Sequence, residues 1–282
     1  MHCFTKIPRW NRTASSESNE KDRQAMAILE LQGLSKQFGG LAAVSGLDLA
    51  ISTGEIRGLI GPNGAGKTTV FNMISGVYKP TRGRILFDGE DITGLPAHEV
   101  VKRHLSRTFQ LTAIFREFTV LRNLLAAYHL FSKTGFWNSV LNTPLSRNEE
   151  AQFMEDALEM LRFLGIEDLK DEIAKNLPYG HQRVMSLGMA LILKPQLLML
   201  DEPVSGMNPQ ETKNMMDRIR ETRDKKGVTI FLVEHNMKAV MGICDQISVL
   251  SFGKKIAEGT PQEIKANTAV IEAYLGVEDH AA

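Results

Sequence analysis

The stretch Gly61-Pro62-Asn63-Gly64-Ala65-Gly66-Lys67-Thr68-Thr69 decides the fold of this chain. It fits the pattern G-x-x-x-x-G-K-[ST], in which glycines let backbone N–H groups approach phosphate oxygens. The apolar run Ile56 to Ile60 before it predicts a buried strand, and Thr69 to Ile74 after it predicts a helix. The amino-terminal end of that helix would carry partial positive charge towards the anion. The sequence therefore predicts a phosphate-binding loop between a strand and a helix.

The polar residues of this loop have separate chemical roles. Lys67 adds a positive charge for the β- and γ-phosphates of a nucleotide, and the Thr68 hydroxyl is suited to ligate Mg²⁺. The residues that we expect to contact the nucleotide are Asn63, Gly64, Ala65, Gly66, Lys67, Thr68 and Thr69.

A second chemical segment is Leu197-Leu198-Met199-Leu200-Asp201-Glu202-Pro203. Four apolar residues followed by two acids place both carboxylates at the carboxyl end of a buried strand, where α/β proteins bind ligands. Asp201 is predicted to hold Mg²⁺, and Glu202 is predicted to be the general base that activates water for attack on the γ-phosphate. Paired acids at a strand end are common on surfaces, so the prediction depends on the phosphate-binding loop.

Composition limits the classes of partner. The 282 residues contain 33 Lys plus Arg and 33 Asp plus Glu, a net charge of zero that argues against a nucleic-acid partner. No apolar run approaches the roughly 18 residues of a membrane span, so we expect any attachment to a membrane to go through a partner. Two cysteines, Cys3 and Cys244, suit a reducing cytoplasm.

The pattern along the chain predicts one α/β domain. Residues 1–25 lack a hydrophobic period and are expected to be a disordered tail, with Met1 and Met26 both candidate starts. Residues 26–282 are expected to form the domain, with an inserted helical subdomain at about 112–190. Further apolar strands predict a mainly parallel sheet buried on both faces; they are Leu197–Leu200, Val228–Val233 and Ile247–Leu250. Short strands are also predicted at Ile28–Leu31 and Leu47–Ile51.

Three single residues are ambiguous when each is taken alone. Phe38 is compatible with ordinary packing, Gln110 with a solvated side chain on an edge strand, and His235 with a structural role at a strand end. The order of these three residues along the chain favours a functional role for each of them instead.

Together with the two segments above, these residues resemble the ATP-binding subunit of an ABC transporter. The resemblance covers about residues 28–276 and includes Leu177-Pro178-Tyr179-Gly180-His181-Gln182-Arg183 and Gly206-Met207-Asn208-Pro209. It implies that Phe38 stacks on adenine, that Gln110 senses the γ-phosphate and ligates Mg²⁺, and that His235 contacts the γ-phosphate. It also implies that Pro178, Tyr179, Gly180 and Gln182 face the ATP of an opposing subunit. The fold that it implies is a P-loop ABC ATPase core with an antiparallel β subdomain beside the mainly parallel sheet and the helical insertion.

The sequence is most similar to the ATPase subunits of high-affinity branched-chain amino-acid importers. This closer resemblance rests on Arg107-Thr108-Phe109-Gln110, Phe115-Arg116-Glu117 and Ala273-Tyr274-Leu275-Gly276. It implies two membrane permeases, a second ATPase subunit, a periplasmic or extracellular substrate-binding protein and a place on the cytoplasmic face of the inner membrane. A urea importer and a lipid or lipopolysaccharide exporter are the alternatives.

The chain departs from the family pattern at the opposing-site segment. Pro178, Tyr179 and His181 stand where the family usually has Ser, Gly and Gln, and Asn208 stands where it usually has Asp. Proline offers neither a hydroxyl nor a backbone N–H to a phosphate. We therefore expect the working dimer to be a heterodimer, in which a different subunit supplies an intact segment.

Overall fold

The computed structural model describes residues 27–108, 114–129 and 144–275. The strands are β1 (Ala27–Phe38), β2 (Leu41–Ser52), β3 (Ile56–Ile60), β4 (Arg82–Phe87), β5 (Glu90–Asp91), β6 (Leu105–Arg107), β7 (Leu197–Asp201), β8 (Thr229–Val233), β9 (Gln246–Ser251) and β10 (Lys254–Gly259). The helices are α1 (Lys67–Ile74), α2 (Ala97–Lys102), α3 (Val120–His129), α4 (Pro144–Leu164), α5 (Tyr179–Leu191), α6 (Pro209–Lys226), α7 (Met237–Ile243), α8 (Pro261–Ala266) and α9 (Thr268–Leu275). Two 3₁₀ turns, Glu167–Leu169 and Ala174–Asn176, connect α4 to α5.

A six-stranded sheet forms the centre, in the order β10-β9-β3-β8-β7-β6. Its strands are parallel except β10, which pairs antiparallel with β9. This is the mainly parallel sheet that the sequence predicts, and the carboxyl ends of β3, β7 and β8 lie along one edge.

Both faces of this sheet are buried. Along β7, Leu198 and Leu200 join a core with the helices α3 to α7, while Leu197 and Met199 join a second core on the opposite face. That second core contains α1 and the inner face of the other sheet. Because successive side chains point to opposite faces, a strand covered on both sides is expected to be apolar on both, as β7 is from Leu197 to Leu200 before it ends at Asp201.

The second sheet is antiparallel, in the order β2-β1-β4-β5. Its first two strands are each 12 residues long, well beyond the short strands that the sequence predicts near Ile28 and Leu47. Register irregularities between β1 and β2 allow this length, because they absorb residues that interrupt the apolar alternation.

Helices α3, α4 and α5 pack together through buried side chains such as Leu124, Leu161 and Leu187. Helix α4 begins at Pro144, because a proline in the first turn of a helix costs no hydrogen bond. The limits 112–190 of a helical subdomain stay a prediction, and the predicted tail at 1–25 lies outside the described residues. Among the helices that the structure describes, none has the length and apolar character to cross a membrane.

Candidate active site

The phosphate-binding loop lies where β3 ends and α1 begins. Gly66 precedes the helix with φ of 102°, and a Cβ there would come within 2.5 Å of the Ala43 carbonyl oxygen in β2. Gly61 has φ of 150°, and a Cβ there would lie 2.1 Å from the Leu250 carbonyl oxygen. Both positions therefore require glycine, because backbone from β2 and β9 presses against the loop. Asn63, Gly64 and Thr68 are exposed, whereas Ala65 is buried and Thr69 half-buried.

Lys67 lies between the loop and the two acids. Its Nζ donates to the Gly61 and Pro62 carbonyl oxygens at 2.6 and 3.0 Å. Burial lowers the pKa of Lys67 below its ordinary value, and the carboxylates of Glu202 and Asp201 oppose that shift. The structure therefore brings the predicted phosphate ligand and both predicted acids into one charged cluster.

The pairing of β7 with β8 sets the positions of the two acids. Asp201 lies opposite Val233, and the Glu202 N–H extends the ladder by donating to the Val233 carbonyl oxygen at 2.9 Å. Glu202 then adopts a left-handed φ of 49°, which is uncommon for a residue with a Cβ and typical of functional sites. This turn brings Glu202 Oε1 within 3.5 Å of His235 Nδ1, with side-chain exposures of 32% and 53%.

Asp201 has a partner that the sequence did not suggest. The Arg107 Nη2 donates to Asp201 Oδ2 at 2.6 Å, and its Nη1 donates to Asn72 Oδ1 at 2.6 Å and to Ser75 Oγ at 3.0 Å. Both charged side chains of the ion pair are almost fully buried. Arg107 therefore ties the predicted Mg²⁺ aspartate to the carboxyl end of α1.

Phe38 lies at the end of β1, with 42% of its surface exposed. Its ring meets Tyr78 edge to face, with centroids 5.3 Å apart, and Lys36 Nζ lies 5.0 Å from its centroid. An exposed ring that neighbours hold in place suits stacking on a base, so the predicted adenine contact remains compatible with the geometry.

The segment that the resemblance assigns to an opposing subunit begins α5. Pro178 is the residue before the helix, with φ of −52°, and the Gln182 side chain donates to the Leu177 carbonyl oxygen at 2.8 Å. Tyr179 Oη accepts from Arg183 Nη2 at 2.7 Å. A Cβ on Gly180 would come within 2.7 Å of a Glu211 carboxylate oxygen, so α5 approaches the start of α6 closely here. The bond to Leu177 uses one of the two N–H donors of the Gln182 amide, so the predicted nucleotide contact would depend on the second.

The oxygen donors of the site fit Mg²⁺. Thr68 and Asp201 supply a hydroxyl and a carboxylate, whereas Gln110 lies outside the described residues. In the described part of the chain, no group of three or more His, Cys, Asp or Glu could hold a metal. Mg²⁺ is usually bound through one or two carboxylates, water and substrate phosphates, and Asp201 with Thr68 offers one carboxylate and one hydroxyl.

Fold and site together define a nucleotide-binding protein of the P-loop class. The family model described as ABC transporter matches residues 44–205, more than half of the chain. A second model, described as branched-chain amino acid ATP-binding cassette transporter, matches residues 254–280. The chain therefore belongs to the ATP-binding proteins of ABC transporters, and the resemblance inferred from its motifs is confirmed, as is the ATPase class.

Curated relatives and solved structures agree with this family. The high-affinity branched-chain amino acid transport ATP-binding protein LivG of Escherichia coli K12 is 45% identical over 249 residues, covering 88% of this chain and 98% of LivG. The corresponding BraF of Pseudomonas aeruginosa is 43% identical over the same length and coverage. An ATP-binding cassette of an ABC transporter in its ADP conformation matches with a TM-score of 0.79 and 31% identity, covering 89% of this chain and all of that one.

Proposed function

We propose that this chain is the ATP-hydrolysing subunit of a branched-chain amino-acid importer. The observation that carries the proposal is the 43–45% identity to BraF and LivG, relatives named for branched-chain amino acid transport, over 98% of their length. The second family match at residues 254–280 supports the same substrate class. The rival reading is a lipopolysaccharide exporter, since LptB of Haemophilus influenzae is 32% identical over 251 residues, covering 89% of this chain and 98% of LptB.

In this proposal each residue of the site has one role in binding or hydrolysing ATP. Backbone N–H groups of residues 63–69 and the Lys67 ammonium bind the phosphates of ATP. Glu202 takes a proton from the attacking water, and His235, 3.5 Å away, contacts the γ-phosphate. Thr68, Asp201 and Gln110 would hold Mg²⁺, which would neutralise charge on the phosphates when bound. Phe38 stacks on the adenine.

The partners follow from the same proposal. ATP binding closes a dimer of two ATPase subunits, hydrolysis reopens it, and two membrane permeases follow these movements at the cytoplasmic face of the inner membrane. A periplasmic or extracellular binding protein delivers the amino acid to the permeases.

The second ATPase subunit is proposed to be a different chain. Pro178 offers neither a hydroxyl nor a backbone N–H, so both phosphate donors at this position of the segment are lost, although the Gly180 N–H remains. A homodimer would repeat this loss at both sites, whereas a partner with an intact segment would restore the site that contains Lys67 and Glu202.

Co-purification from membranes tests the function. The tagged full chain, extracted in mild detergent, should bring two permeases and one different ATPase subunit. The complex in vesicles should take up leucine in the presence of its binding protein and ATP, and Glu202→Gln should abolish uptake while keeping the complex intact. Recovery with exporter components, or uptake of urea instead of leucine, would replace the proposed substrate.

Size-exclusion chromatography tests the heterodimer. The Glu202→Gln chain with ATP should elute as a monomer by itself and as a dimer with its partner subunit. A stable homodimer of this chain, with brisk turnover in the wild type, would overturn the heterodimer.

A further inference from the structure

Glu234 is a buried carboxylate between two loops of the active site. It follows β8 directly, immediately before His235, and its exposed fraction is 0%. The loop after β7, which contains Glu202, passes beside it. The motifs quoted above do not include this residue, and its hydrogen bonds among the described residues go to the loops of Glu202 and His235 and not to the phosphate-binding loop.

Its two oxygens bind both loops. Oε1 accepts from the backbone N–H of Val204 at 3.0 Å, two residues after Glu202. Oε2 accepts from the backbone N–H groups of His235 at 3.2 Å and Asn236 at 3.3 Å. One side chain therefore connects the loop of the predicted base with the loop of the predicted γ-phosphate contact.

The chemistry of the group suits this connection. A carboxylate is the side chain that accepts at both oxygens without donating, whereas an amide has a single acceptor atom. Burial raises the pKa of Glu234, and the N–H groups of Val204 and Asn236 together with the charge of His235 act to lower it. Hydrogen bonds to a charged acceptor are also stronger than those to a neutral one.

We infer that Glu234 is a positioning residue for ATP hydrolysis, whose carboxylate fixes the loop of Glu202 relative to the loop of His235. The inference rests on the roles proposed above for Glu202 and His235. It explains how Glu202 is supported in its left-handed conformation, which surrounding structure must stabilise. It also explains how the 3.5 Å spacing between the two side chains is maintained although both are partly exposed.

The variant Glu234→Gln tests the inference with little change of shape. Whichever way the amide turns, its NH₂ group faces a backbone N–H, either that of Val204 or those of His235 and Asn236. Since a displacement of about 1 Å can cost about a hundredfold in rate, we expect kcat to fall by about tenfold or more. The Kd for ATP should stay within about twofold, because the phosphate-binding loop and Lys67 are untouched. Hydrogen exchange should become faster at Val204 or at His235 and Asn236.

Glu55→Gln is the matched control. Glu55 is also a buried carboxylate, accepting from the Ser52 N–H at 2.8 Å and from Arg57 Nε at 2.6 Å, but it lies at the amino-terminal end of β3. This variant should lower the melting temperature and leave kcat per folded molecule within about twofold. A purely structural Glu234 would behave in the same way as Glu55.

Glu234→Asp tests whether the length of the side chain matters when its negative charge is kept. It also replaces the Gln variant if that variant does not fold. The shorter side chain keeps its negative charge and the adjacent N–H groups of its own loop, but it falls short of Val204. We expect a lowered kcat with a near-normal melting temperature. Wild-type kcat in the Asp variant, or equal loss of kcat and ATP affinity in the Gln variant, would overturn the positioning role. Full turnover in Glu202→Gln would instead overturn the proposed base.

Discussion

The charged side chains at the amino-terminal ends of the strands in the six-stranded sheet are arranged differently from those at the carboxyl-terminal ends. At the amino-terminal edge, Arg57 in β3 bonds Glu55 at 2.6 Å, Ser248 Oγ at 3.3 Å, the Ala50 carbonyl oxygen at 3.0 Å and also the Glu258 carboxylate. At the carboxyl-terminal edge, the Glu202 and His235 side chains are partly exposed and meet only at 3.5 Å.

This difference separates stability from chemistry. The Arg57 cluster joins β2, β3, β9 and β10 through a guanidinium that is 5% exposed, so its charges serve the fold. The opposite end also contains the buried Arg107–Asp201 pair, but there the Glu202 and His235 side chains are partly exposed and lie near a loop with exposed Gly64 and Thr68. Substitutions at the two edges should therefore change different measured quantities.

The largest effect is expected at Glu202. Glu202→Gln should lower ATP turnover by about 10²–10⁴-fold, because general base catalysis contributes about that much, while ATP binding is retained. Steady-state hydrolysis and equilibrium binding on the same preparation measure both quantities. A variant that hydrolysed ATP at close to the wild-type rate would remove Glu202 from the chemistry and break the contrast between the edges.

The next effect should appear at the opposite edge, in stability. Arg57→Met leaves Glu55 buried without its charged partner, and breaking a buried ion pair typically costs about 3–5 kcal/mol in the free energy of unfolding. The Kd for ATP of the folded fraction should not change. Arg84→Met is the control, since the Arg84–Asp91 pair is exposed and such pairs contribute about 0–1 kcal/mol. Equal losses in the two variants would mean that the Arg57 cluster is not a stabilising centre.

A smaller effect on nucleotide affinity is expected at Phe38. Phe38→Ala should cost about 1–3 kcal/mol of ATP binding, by analogy with base–aromatic stacking, whereas Phe38→Tyr should be mild. Isothermal titration with ATP measures both. An unchanged Kd in the alanine variant would assign Phe38 to packing against Tyr78 alone.

Local patterns in the sequence predicted where Lys67, Asp201 and Glu202 lie, but not the buried side chains Arg107 and Glu234 that bond to Asp201 and to the loop after β7. The strand, loop and helix around Lys67 and the position of Asp201 and Glu202 at the carboxyl end of β7 agree with the sequence prediction because each motif is contiguous, whereas the chemical roles of these residues stay a prediction. Arg107 and Glu234 were missed because their partners are distant, 94 residues away at Asp201 and 30 residues away at Val204. No periodicity or local pattern reports such pairs.

The length of the strands in the antiparallel sheet also depends on contacts that a local sequence pattern does not report. Strands β1 and β2 extend to 12 residues because each pairs with the other across shifts of register, which depend on tertiary contacts and not on local alternation. The sequence suggested an edge strand only as the setting of Gln110. Strand β6 is an edge strand that ends at Arg107, and Gln110 lies outside the described residues.

Hydrogen exchange of the full chain with and without ADP and Mg²⁺ tests most directly whether the nucleotide binds at the carboxyl-terminal edge. The account predicts slower exchange in peptides that cover residues 61–69, with little change at residues 255–259 of β10 beside the Arg57 cluster. Lys67→Ala should lose most of this protection at the same nucleotide concentration. Protection centred on residues 255–259, or none at 61–69 under saturating nucleotide, would contradict the account.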